Sequence, residues 1–125
     1  MSKMLSEHFS AAEFMCHDGS SHAINPILLK KLEALRTRVK VSVHIDCGYR
    51  SPAYNATLKG AAKHSQHMLG NAADIKVAGF TPKQIYDLAI ELGFTGIGLY
   101  DTFTHVDVRP GRLATWDLRT KKGMK

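Results

Sequence analysis

The stretch that most restricts this chain is Ser65-Gln66-His67-Met68-Leu69-Gly70-Asn71-Ala72-Ala73-Asp74, which reads S-x-H-x-x-G-x-A-x-D. It sets His67 and Asp74 seven positions apart, with Gly70 between them to turn the chain. A later stretch, Thr104-His105-Val106-Asp107-Val108-Arg109, adds another imidazole and another carboxylate. Together they offer two imidazoles and one carboxylate to a metal, with one carboxylate to spare. Catalytic zinc is held by three protein ligands with one position open, whereas structural zinc takes four. Zinc in such a site lowers the pKa of its bound water to about 7, which makes hydroxide available at neutral pH. The expectation is a zinc hydrolase. A bare His and Asp pair would carry little weight in a chain with seven histidines, His8, His17, His22, His44, His64, His67 and His105. The weight comes from Ser65, Gly70, Ala72, Ala73 and Ile75 standing around the pair, and from His105 on an alternating strand.

At 125 residues the chain is about one domain. A hydrophobic content of 44% with 22% charged residues fits a soluble globular protein. No run of about 18 apolar residues is present, so no membrane span is expected. The stretch from Met1 to His8 lacks an apolar signal core, and Cys16 and Cys47 make no disulfide framework. Both observations predict synthesis in a reducing cytoplasm. Access to a target outside the cell would then need release through a pore or lysis. A net charge of +6 favours anionic partners, nucleic acid or cell-wall polymer. The basic residues form no aromatic-interleaved patch, so nucleic acid is not the expected partner. Their one cluster, Arg119 to Lys125, reads as a solvated tail. A monomer is expected.

Taken in order, Ser10-Ala11-Ala12-Glu13 is a capping box, predicting a brief helix near 10–15 pinned by Phe9 and Phe14. Asn25-Pro26 opens a helix over roughly 26–39, with Leu28, Leu32, Leu35 and Val39 at helical spacing. Val41-Ser42-Val43-His44-Ile45-Asp46 alternates, predicting a strand with Val41, Val43 and Ile45 inward. Ser51-Pro52 caps a further helix, so Arg50 sits at a strand-to-helix junction, where a guanidinium can meet oxyanion charge or a carboxylate. Residues 59–70 form a loop or short helix that delivers His67. Ala72 to Val77 reads as a strand with Asp74 on the face opposite Ala73, Ile75 and Val77. Thr81-Pro82-Lys83-Gln84 starts another helix and Gly93 ends it. Gly96 to Tyr100 is a glycine-rich strand that something can approach closely. On the strand 104–109, Val106 and Val108 face the core while His105, Asp107 and Arg109 share the other face. The fold class expected is α+β, a single domain with a central antiparallel sheet flanked by helices. A doubly wound alternative competes, because strands and helices alternate.

These motifs resemble the zinc D-Ala-D-Ala carboxypeptidase-like peptidases that cut cell-wall peptides, phage endolysins among them. The same fold occurs in the hedgehog signalling domain. The matching residues are Gly48-Tyr49-Arg50-Ser51-Pro52-Ala53-Tyr54-Asn55, then Ser65 to Ile75, Gly96 to Tyr100, and Phe103 to Arg109. The resemblance covers about residues 8–117 of a single zinc peptidase domain, followed by a basic tail over 118–125. It implies zinc bound by His67, Asp74 and His105, with Arg50 near the scissile carbonyl. It implies substrate contacts from Ser65 and Tyr49, and peptidoglycan peptide stems as the substrate.

There are two departures from that pattern. Many relatives carry Glu three positions before the last ligand, as general base, where this chain has Thr102. The base is then expected at Asp107, which shares a strand face with His105, with Asp101 as the alternative. Asp107 as an outer partner that orients a ligand histidine remains open. The other departure is Asp46-Cys47, where small polar residues are more usual. The missing Glu supports a rival reading, a non-catalytic zinc-binding module of the same fold. The bond cut stays open between D-Ala-D-Ala, an L-Ala-to-D-residue bond and a cross-bridge, and so does carboxypeptidase against endopeptidase.

Overall fold

Capping chemistry divides this chain into elements. The computed structural model describes residues 3–120. Helix α1 spans Pro26–Val39; the Asn25 side chain accepts the Ile27 N–H, and Lys40 ends the helix in the left-handed region at φ 62°. Strand β1 is Val43–Cys47, and helix α2 is Pro52–Thr57, capped by Ser51. Strand β2 is Ala72–Val77 and helix α3 is Pro82–Leu92, which opens on the Thr81 and Gln84 capping box. Strands β3 (Gly96–Leu99), β4 (Thr104–Asp107) and β5 (Ala114–Asp117) follow. Short 3-10 turns at Ala11–Phe14 and Gln66–Leu69 complete the set.

The five strands form one sheet in the order β1-β2-β4-β3-β5. The first four pair antiparallel, as expected from the order of helices and strands. Strand β5 adds in parallel to β3, which makes the sheet mixed. Its four residues are half-buried or exposed and carry no apolar alternation, so periodicity does not reveal it.

One face of the sheet packs into the core. Val43, Ile45, Ala73, Ile75, Val77, Ile97 and Val106 meet Leu28, Leu32 and Leu35 of α1, Ile85 and Ala89 of α3, and the paired rings of Phe9 and Phe14. Each fully buried Leu or Ile contributes about 1.5–3 kcal/mol relative to exposure. Val41 is not inward as alternation suggested. It is 40% exposed and precedes the strand, which begins at Val43.

The β1–β2 pair contains an irregularity that matters for the site. Ile45 opposes Ile75, yet Cys47 opposes Asp74, so Asp46 is one extra residue on β1. Such a bulge breaks the in-out alternation of the bulged strand. It brings Cys47 level with Asp74 on the face away from the core.

Candidate metal centre and cleft

The site stands on the other face of the sheet. Asp74 in β2 lies directly opposite His105 in β4. The 3-10 turn brings in His67, whose N–H donates to Ser65 Oγ at 3.1 Å. Gly70 closes that turn at φ 72°, and a Cβ there would meet the Ala23 carbonyl, so both backbone and space require glycine.

The ring orientations follow from acceptors. His67 Nδ1 is 2.7 Å from the Gly48 carbonyl, which can only accept, so Nδ1 carries a proton. Its Nε2 then faces Asp74 Oδ1 at 3.2 Å. His105 Nε2 is 2.7 Å from Asp107 Oδ2, and its Nδ1 faces the same Asp74 oxygen at 3.0 Å. In the neutral rings both lone pairs would aim at an oxygen that also only accepts. A cation between these three atoms resolves that clash. Without one, the His67 ring needs a second proton. Burial opposes a charged His67, but its hydrogen bond to Asp74, helped by Cys47, carries its pKa up to about 9. Burial likewise opposes the Asp74 carboxylate, yet hydrogen bonds from His105 and His67 hold its pKa well below the usual range. Two imidazole nitrogens and a carboxylate oxygen suit zinc in chemistry and number.

Asp107 supports this arrangement from behind. It is fully buried, and Arg109 grips it through Nε at 3.0 Å and NH2 at 2.7 Å. Burial would raise its pKa, but His105 and Arg109 outweigh that and keep it an anion. Gly96 explains how a carboxylate fits there, because a Cβ at that position would overlap the Asp107 carboxyl group. Gly98 makes the same kind of room for the indole of Trp116.

A scan against protein families matches residues 7–116 to the family described as peptidoglycan L,D-endopeptidase MepK. Among curated proteins, a probable peptidoglycan L,D-endopeptidase MepK of Haemophilus influenzae is 35% identical over 104 residues, covering 76% of this chain and 55% of that protein. The peptidoglycan L,D-endopeptidase MepK of Escherichia coli K12 is 32% identical over 98 residues, 72% of this chain and 54% of its own length. This chain belongs to the MepK family. It spans about half the length of the curated relatives it matches.

Around the centre of this MepK-family chain lies a cleft of about 530 Å³. His67, Asp74, His105, Arg50 and Ser65 all line it. Ser65 is the N-cap of the His67 turn, so its hydroxyl is already taken by a backbone N–H. Arg50 reaches NH1 to Asn55 Oδ1 at 3.3 Å, and its NH2 stands 3.6 Å from Asp74 Oδ2.

Three expected residues are not brought to the cleft. Tyr49 is buried, stacks on His22 with ring centroids 5.0 Å apart and does not line the cleft. Asp107 cannot face a water in the cleft, because His105 and Arg109 occupy its oxygens in full burial. Asp101 points elsewhere, accepting the Thr120 N–H at 3.0 Å and its hydroxyl at 2.8 Å. Of the basic tail, residues 121–125 lie outside the described residues.

The site also holds residues that motif reading passed over. Trp116, the only tryptophan, lines the cleft from β5 and donates its Nε1–H to Tyr100 at 2.9 Å. Its ring lies 5.1 Å from that of His105, and the Arg109 guanidinium sits 5.0 Å from it. Tyr100 and Phe103 stack at 4.4 Å beside it. The glycines at 96 and 98 were the available signal, since they mark where large groups press on β3. Cys47 is the other omission. Cys47, His67 and Asp74 each offer a donor atom, all within 4.8 Å of one another. This set and the His105 set share His67 and Asp74. In the His105 set the two ring nitrogens face one Asp74 oxygen at 3.2 and 3.0 Å, and Cys47 adjoins that set through His67 and Asp74.

Proposed function

We propose that this chain is a zinc peptidase that cuts peptide bonds within peptidoglycan, acting as an L,D-endopeptidase. The convergence of His67 Nε2 and His105 Nδ1 on one Asp74 oxygen, at the floor of an open cleft, carries this reading. The names of the relatives favour an endopeptidase over a carboxypeptidase. Zinc held by His67, Asp74 and His105 would supply a Lewis acid and lower the pKa of a water to about 7.

The chain's own groups then have separable tasks. Asp107 orients His105 and keeps its proton on Nε2, the usual duty of a carboxylate behind a ligand histidine. Arg50 faces the cleft beside Asp74, where it can stabilise negative charge developing on a carbonyl oxygen. His64 also lines the cleft, and a histidine ring offers both a proton donor and a proton acceptor. It is our candidate for relaying a proton to the leaving amine. Arg50, Lys59 and Arg109 give the cleft a cationic wall, which suits the free carboxylates of peptide stems.

One observation favours a second reading. Among the described residues, no carboxylate except Asp74 lines the cleft, as in a zinc-binding module without catalysis. Digestion of defined cross-linked muropeptides, with products weighed, separates the readings. Cleavage inside the peptide at an L-to-D bond, lost with chelator and restored by zinc, is the expected result. Release of a terminal D-residue alone would make the chain a carboxypeptidase. A zinc-loaded protein that cuts nothing would be the binding module.

A further inference from the structure

Cys47 has no task in the reaction just described, yet it sits at the metal centre. The extra residue Asp46 in β1 sets Cys47 opposite Asp74, level with the ligand rather than in the core. Cys47 is half-buried, while its neighbours His67 and Asp74 are almost fully buried. Its donor atom lies within 4.8 Å of a donor on each, and its sulfur is 3.9 Å from His67 Nδ1, the ring nitrogen that meets the Gly48 carbonyl. Its sulfur also receives the Arg50 Nε–H at 3.3 Å. Donor atoms on one tetrahedral zinc stand roughly 3.5 Å apart, given Zn–S of about 2.3 Å and Zn–N of about 2.0 Å. Closing the site therefore requires the sulfur to move in toward Asp74.

We infer that Cys47 is a fourth donor to the metal held by His67, Asp74 and His105, giving the site a closed, sulfur-bound form. This rests on the metal reading above. Three ligands leave a position open, whereas four protein ligands close a zinc site. On closing, the S–H bond breaks and its proton passes to solvent. A sulfur–metal bond forms, and one water is released. On opening, the reverse occurs and the sulfur returns to the Arg50 Nε–H. The same sulfur therefore links the open position to the placement of Arg50. Sulfur is also a softer donor than nitrogen or oxygen, so the closed form favours thiophilic cations.

Cobalt(II) in place of zinc tests this on the full chain. The expected spectrum has a sulfur-to-cobalt charge-transfer band in the near ultraviolet beside the visible bands of four-coordinate cobalt. Cys47→Ser should abolish the near-ultraviolet band and keep the visible ones, while Cys16→Ser should keep both. Cobalt affinity should fall in Cys47→Ser by more than the ~10-fold typical of losing an outer partner. If Cys47→Ser does not fold, alkylation of the native protein gives the answer: zinc should protect Cys47, and chelator should remove the protection. Stoichiometric cobalt without the sulfur band, or a band that survives Cys47→Ser, overturns the inference and leaves the metal reading intact. Protein that binds no cobalt at all overturns both.

Discussion

The two faces of one sheet obey different rules here. On the core face, Ala73, Ile75 and Val106 are buried among apolar neighbours from both long helices. On the other face, Asp74, His105 and Asp107 are just as buried, but each polar atom is answered by a particular partner. Apolar packing is non-directional and tolerates substitution at a graded cost. A buried polar network fails at once when one member is removed, because its partners stay desolvated and unpaired. Adjacent residues of β4 therefore face opposite penalties: Val106 belongs to the apolar packing, His105 to the polar network.

The largest expected effect tests that division directly. His105→Ala, or His67→Ala, should lose zinc and peptidase activity together while the fold survives, measured by elemental analysis and muropeptide digestion. Val106→Ala should do the reverse, costing about 2 kcal/mol of stability with zinc still bound below the unfolding transition. If Val106→Ala strips the metal as fully as His105→Ala, the faces are not separable.

Acidity gives the next effect. Protons compete with metal for the histidines, so zinc affinity should rise with pH until His67 is neutral, near 9 in the metal-free chain. The slope should be about tenfold per pH unit for each proton displaced. The metal-free fold has the opposite sign. Its His67–Asp74 pairing contributes in full below the ordinary value of 6.5 and is lost as pH passes about 9. Metal titrations at several pH values that show no slope would remove the histidines from the ligand set.

Asp107→Asn should weaken zinc affinity or activity by ~10- to 100-fold, the usual consequence of disturbing a carboxylate behind a ligand histidine. A mutant with zinc affinity intact and the catalytic rate alone abolished would return Asp107 to the role of base. Gly98→Ala should cost about 1–3 kcal/mol, since its methyl would overlap the Trp116 indole. Smallest should be Trp116→Phe, which loses the hydrogen bond to Tyr100, worth about 0.5–1.5 kcal/mol. Thermal melts of both variants would show whether the cleft wall belongs energetically to the core or to the site.

By itself the sequence determined whatever is local or periodic. Proline and its preceding cap residue start all three helices, and left-handed glycine or lysine ends the two long ones, because backbone donors and acceptors must be satisfied within a turn. Period-2 alternation sorted Val106 from His105, since neighbouring side chains on a strand point apart. The motifs around His67, Asp74 and His105 made an expected ligand set legible as well. Tertiary structure decided the rest. The parallel docking of β5 brings Trp116 to the cleft, and nothing within Ala114–Asp117 encodes a partner eighteen residues back. The bulge at Asp46 turns Cys47 toward Asp74 against simple alternation. Asp107 could be base or orienting partner until its neighbours were known. Arg109 on the same strand face, Gly96 beneath it and His105 beside it favour the orienting role, because a carboxylate's role depends on what shares its desolvated space.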